Sequence, residues 1–144
     1  MWRHRGSESC ATLQTPHSHT HYTSLSFIGL TKTIVPFPAF HCQVLFVLAV
    51  LSAKLQLPSE EEMEDDRERD FKWRISKGYL PRAAHTMASF QWDYNDELLT
   101  LAGFEPLPPV LKKLNEYCHV LREIDVNYRE KSFRLCNREE FIHL

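Results

Sequence analysis

Apolar and polar positions divide the chain into three stretches. No amphipathic period is present before about Ile34, an almost uninterrupted apolar segment runs from Ile34 to Ala53, and from Pro58 onward apolar residues recur at helical spacing. The most regular set is Val110, Leu111, Leu114, Tyr117, Cys118, Leu121, Ile124, Tyr128 and Leu135, opposite Lys112, Lys113, Glu116, Glu123 and Arg129. This spacing predicts a helix over 109–135 with one covered face. Pro109 suits its first position, where a missing N–H leaves nothing unsatisfied. Leu114, Tyr117, Leu121, Ile124 and Tyr128 also satisfy a heptad. The flanking positions hold Cys118, Val120, Asp125 and Asn127 rather than matched charges, and Lys131 breaks the next core position. Packing in a bundle or on a partner is therefore expected, rather than a dedicated coiled coil.

Two shorter helices precede it. Ser59 and Glu62 have the spacing of a capping box, and the acidic run Glu60, Glu61, Glu62, Glu64, Asp65, Asp66 lies where a helix dipole favours negative charge. Asp65 with Arg69, Glu68 with Lys72 and Asp70 with Arg74 are i,i+4 pairs, and Gly78 with Pro81 marks a stop, so a helix is predicted near 59–77. The alternation of Phe71, Trp73 and Ile75 with Lys72, Arg74 and Ser76 is strand-like and leaves its end open. A second helix, near 94–102, would be capped by Asp93 or Asn95, carry Leu98, Leu99, Leu101 and Ala102, and stop at Gly103. Glu105 to Pro109 reads as a stiff linker, and Asn137 with Glu140 as the cap of a last turn holding Phe141 and Ile142.

The expected fold is mainly α, a small irregular unit of about three helices behind a low-order amino-terminal region. The boundary falls near Leu57: residues 1–57 form that region, with the apolar segment 34–53 inside it, and residues 58–144 form a helical interaction module. As a helix the apolar segment would measure roughly 30 Å, the thickness of a bilayer core. Pro36, Pro38, His41 and Gln43 interrupt it, and its unbroken apolar run is only Val44 to Leu51. Burial in protein, or an ill-ordered extension, is the simpler expectation. Were it to span, Lys54, Arg67 and Arg69 against Lys32 would place the carboxyl side in the cytoplasm.

Composition narrows the chemistry. With 144 residues, 43% of them apolar, the chain suits at most one small domain. The four glycines, Gly6, Gly29, Gly78 and Gly103, lie too far apart to form a glycine-rich phosphate or dinucleotide turn. A formal net charge of -2 lacks the basic excess that nucleic-acid binding draws on. Charge is uneven, however: Arg3, Arg5, Lys32 and Lys54 face only Glu8 in residues 1–59, leaving 13 basic and 18 acidic residues beyond. Cys10, Cys42, Cys118 and Cys136 contain no C-x-x-C, and Cys118 to Cys136 would span roughly 27 Å of helix, so reduced thiols in a cytoplasmic setting are expected.

Candidate sites carry bland explanations. His17, His19 and His21 would share one face of an extended segment and could gather around a metal ion, but nothing fixes them there. Asp93, Asp96 and Glu97 could form an acid/base pair, yet acidic residues at a helix start are explained by the dipole. No catalytic, cofactor or metal-binding residue is assigned. The expectation is a non-catalytic interaction or structural subunit with no small-molecule substrate. It would dock Trp73, Trp92, Leu114, Tyr117, Leu121, Ile124 and Tyr128 onto a protein partner or a larger assembly such as a cytoskeletal one. The alternative is a single-pass membrane-anchored adaptor using Ile34 to Ala53.

Overall fold

A computed structural model describes residues 26–83 and 85–144. Their architecture is mainly helical, as expected: α1 (Pro36–Leu51), α2 (Glu60–Ser76), α3 (Gln91–Leu101) and α4 (Pro109–Ile124), followed by a short hairpin of β1 (Phe133–Leu135) and β2 (Phe141–His143). The chain divides into two compact units between Pro106 and Leu107.

In the first unit the apolar segment becomes α1, which starts with proline in its first turn. It buries Ala39, Cys42, Gln43, Phe46 and Ala49 and packs on α3, whose Tyr94, Leu98 and Leu99 complete the core. Residues just before the two helices are tied together. Lys32 N–H donates to His85 O, Met87 N–H to Lys32 O and Ala88 N–H to Thr33 O, around a parallel bridge between Lys32 and Thr86. Among the described residues no helix is long and apolar enough to cross a membrane. The buried amide of α1, Gln43, has hydrogen-bond partners inside this unit, as has Gln91 of α3.

The capping box of α2 forms as expected, with Ser59 Oγ accepting from Glu62 N–H and the Glu62 carboxylate accepting from Ser59 N–H. These contacts hold the Glu62 carboxyl below its ordinary range. The helix continues through Phe71, Trp73 and Ile75 to Ser76, overriding their strand-like rhythm. Local ion pairs such as Lys72 with Glu68 (2.9 Å) favour the helix, and all three apolar side chains are partly exposed, so no sheet face is served.

Two boundaries differ from expectation. α3 begins at Gln91 after a 3₁₀ turn (Ala88–Phe90), not at a cap on Asp93 or Asn95. The Gln91 side chain reaches back to both backbone groups of Val35, accepting from its N–H at 2.6 Å and donating to its C=O at 3.1 Å, which fixes the start of the helix. The last helix stops at Ile124, well short of Leu135, where Asp125 becomes extended and its Oδ1 accepts from Asn127 N–H at 2.8 Å. Tyr128 therefore lies on a 3₁₀ turn and Leu135 on β1. β1 and β2 pair antiparallel with Phe133 opposite His143, Arg134 opposite Ile142 and Leu135 opposite Phe141. Asn137 caps no helical turn: its Oδ1 accepts from Glu139 and Glu140 N–H inside the hairpin loop. In this second unit Val110 and Leu121 are buried, and Val110 N–H donates to Arg138 O.

Candidate functional site

Burial of polar groups marks where this protein departs from a plain apolar core, and two such places lie in the first unit. One is a set of amides between α1 and α3. Gln43 accepts from Gly29 N–H (2.9 Å) and donates to the Tyr94 hydroxyl (3.0 Å), which orients the side chain unambiguously along the helix contact. Asn95 is wholly buried, and neither its Oδ1 nor its Nδ2 has a hydrogen-bond partner. A buried amide without partners costs about 1–3 kcal/mol, so the position carries a cost that packing alone does not explain.

The other place lies between α2 and α3. Arg74, 2% exposed, binds Asp70 through Nε (2.8 Å) and donates from Nη1 to the Thr86 carbonyl (2.9 Å). Asp70 Oδ1 is buried with no hydrogen-bond partner. Burial, reinforced by Asp66, pushes the Asp70 carboxyl up to about 6. Burial, together with the charges of Asp66 and Asp70, pushes Glu97 up to about 7. Burial also lowers the Arg74 guanidinium, so each member of the ion pair is drawn toward its neutral form despite their contact. His85 is lowered by burial and by the positive Lys32 and Arg74. Two carboxyls that change charge near neutral pH can take up and give back protons, the property general acid/base groups need.

Sequence reasoning missed this cluster. It treated Asp70 and Arg74 as an ordinary i,i+4 pair and Glu97 as part of a helix start. Asp93 is indeed exposed in the first turn of α3, whereas Glu97 is turned toward the acidic face of α2. Only the burial of Arg74 and Glu97 distinguishes them, and burial has no local signature. His17, His19 and His21 lie outside the described residues, and among the described ones no group of three or more His, Cys, Asp or Glu could hold a metal ion.

The side chains expected to meet a partner are distributed over both units. Trp73 is partly exposed and packs edge-on against Phe90 at 5.4 Å, whereas Trp92 is buried. In the second unit Tyr117 meets Phe133 (5.9 Å), Phe141 (5.4 Å) and His143 (5.8 Å), and its hydroxyl lies 3.0 Å from His143 Nδ1. Tyr117 therefore joins the hairpin to α4. Leu114 is half-buried, Leu121 buried, and Ile124 exposed at 76%. Tyr128 lies beneath the Arg129 guanidinium, 5.1 Å from its ring centre.

Fold and site together define a small two-unit helical chain in which two half-buried carboxyls, Asp70 of α2 and Glu97 of α3, are raised above their ordinary range. Comparison with known proteins adds a relationship that neither feature contains. No family model matches the chain. It is 43% identical over 77 residues to flavin-containing monooxygenase FMO GS-OX-like 7 of Arabidopsis thaliana, a match covering 51% of this chain and 16% of that protein. It is 38% identical over 80 residues to FMO GS-OX4 (56% and 17%) and 34% identical over 79 residues to FMO GS-OX-like 4 (55% and 18%), both of the same plant. The match thus spans less than a fifth of the length of these curated relatives.

These relatives are named as enzymes. The finding overturns the expectation of a non-catalytic interaction or structural subunit, its membrane-anchored adaptor alternative, and the exclusion of a small-molecule substrate. The misreading has a physical origin: a helical stretch without a glycine-rich turn or a nucleophile motif has the same pattern of apolar and polar positions whether it docks on a partner or serves an enzyme.

The described residues do not themselves fit a flavin. Gly29, Gly78 and Gly103 stand singly on three separate left-handed turns, so together they form no glycine-rich loop of the kind that holds a dinucleotide phosphate. The sheet is a two-stranded antiparallel hairpin, without the parallel strand and helix start that present backbone amides to a dinucleotide.

Proposed function

We propose that this chain works as part of a flavin-dependent monooxygenase acting on a small molecule, and that the residues holding the flavin lie outside its described part. The observation that carries the reading is the recurrence of one match: eight flavin-containing monooxygenases align with 73–84 residues of this chain at 31–43% identity. A monooxygenase places one atom of dioxygen in its substrate and reduces the other to water, which requires protons as well as electrons. Among the described residues, the carboxyls of Asp70 and Glu97, raised by burial toward neutral pH, are groups suited to proton transfer.

A segment exchange tests the reading. The 77 matched residues of FMO GS-OX-like 7 are replaced by those of this chain. The purified chimera is then assayed for bound flavin by visible absorbance, and for transfer of isotopically labelled oxygen from dioxygen to that enzyme's own substrate. A folded chimera that keeps its flavin and oxygenates within about tenfold of the parent supports the proposal, tenfold being about 1.4 kcal/mol of barrier. A folded, flavin-loaded chimera that yields no labelled product overturns it. Stoichiometric flavin retained by the present chain alone would overturn the placement of the flavin.

A further inference from the structure

Helix α1 is apolar on two sides but covered on one. Ala39, Cys42, Gln43, Phe46 and Ala49 are buried, and α1 packs on α3. The opposite side has no cover among the described residues. Beyond Pro36 in the first turn, the exposed residues of α1 are Phe37, His41, Val44, Leu48 and Leu51, with Phe37 at 87% and Leu51 at 68%. They recur alternately at four and three, so at 3.6 residues per turn they lie on one strip roughly 80° wide. This is the spacing of successive core positions in a heptad. A helix apolar on both sides is ordinarily buried on both.

We propose that the outer face of α1 is a self-pairing surface, through which two copies of this chain associate helix to helix. Four of the five seam residues are apolar, and their alternation of four and three is the rhythm that fits side chains of one helix between those of another. The positions flanking the seam are Pro38, Phe40, Leu45 and Val47, and the 16 residues of α1 include no Asp, Glu, Lys or Arg. No charge is therefore present to select a dissimilar helix, or to repel a second copy of this one. Nor does α1 carry the Lys and Arg with which an interfacial helix binds lipid headgroups, since the side away from the seam is packed on α3. His41 is the single polar residue in the seam, and one polar core position is the device that fixes the register of a helix pair at a cost in stability. The same face serves both copies, so the pair closes at two. The exposed side chains amount to the order of 500 Å² per copy, so a pair buries about 1,000 Å², the lower edge of specific interfaces. Association in the range of about 1–100 μM follows, rather than an obligate dimer.

Sedimentation equilibrium of the full chain from about 1 μM to about 300 μM tests the pairing. The average mass should climb from one chain toward two and go no further. Leu48→Glu and Leu51→Glu each put a charge into the seam at an exposed position, where the fold of the single chain tolerates it, and should weaken association by at least about tenfold. Two variants guard against a local loss of structure, which circular dichroism monitors. Val120→Glu, at an exposed apolar position of α4, should leave the dissociation constant within about twofold. His41→Leu removes the polar core residue and should tighten association by at least about threefold. A chain that stays single throughout the range would overturn the proposal. So would folded Leu48→Glu and Leu51→Glu variants that associate like the wild type, a Val120→Glu variant weakened as much as they are, or association weakened by His41→Leu. Binding to phosphatidylcholine vesicles by a chain that stays single in their absence would assign the face to lipid and overturn it as well.

Discussion

Replacing Gln43 by Leu tests whether α1 is fixed on α3 by its buried amide or by apolar packing alone. Leucine is close in volume, so the change removes two hydrogen bonds while leaving little cavity. Loss of the acceptor at 2.9 Å strands the Gly29 N–H, a cost of about 1–3 kcal/mol for a polar group left unpaired, and loss of the donor to Tyr94 adds about 1 kcal/mol. The expected destabilisation is thus about 2–4 kcal/mol, read from urea unfolding by circular dichroism with the slope unchanged. A double-mutant cycle with Tyr94→Phe isolates the side-chain pair. If the bond stabilises the contact, the double variant should be more stable than the sum of the single effects by about 0.5–1.5 kcal/mol. Additivity within about 0.3 kcal/mol, or a Gln43→Leu chain as stable as the wild type, would refute the reasoning.

Three further outcomes follow from local geometry. Gly29 and Gly103 both have left-handed backbones, at φ +85° and +78°, but a side-chain carbon would meet the Phe40 ring only at Gly29; Gly103→Ala should cost about 1 kcal/mol and Gly29→Ala clearly more in the same unfolding assay. Cys42 is wholly buried, and burial, aided by Asp96, pushes its thiol up to about 12, so alkylation of the folded chain at neutral pH should label exposed Cys136 and spare Cys42 until unfolding, as mass spectrometry of the peptides would show. The folded values of Asp70 (about 6) and Glu97 (about 7) stand above their ordinary 3.8 and 4.5. Between those limits the native state holds protons that the unfolded chain has lost, so their contribution to stability falls as pH rises from about 4 to about 7. Glu97→Gln should weaken that slope in urea titrations at several pH values, and an unchanged slope would count against it.

Much of the helical order is legible in the sequence because helix starts and stops are local. The Ser59–Glu62 box, the acidic first turn of α2, Gly103 and Pro109 each act within one turn of where they stand, and the structure uses all of them. The expected reach of the last helix to Leu135 fails for a reason the same rules do not contain. Tyr128 and Leu135 continue the helical spacing by coincidence, while Phe133 and Phe141 gain more by pairing across a hairpin and packing on Tyr117.

What the sequence by itself determined is therefore the mainly α character, the positions where α2 and α4 begin, and the absence of a glycine-rich cofactor turn. Tertiary structure alone decided that α1 turns Gln43 toward Tyr94, that Arg74 is enclosed, and that Glu97 comes beside the acidic face of α2. Spacing along a helix fixes which residues share a face, but burial and desolvation depend on what another helix, distant in sequence, brings against that face.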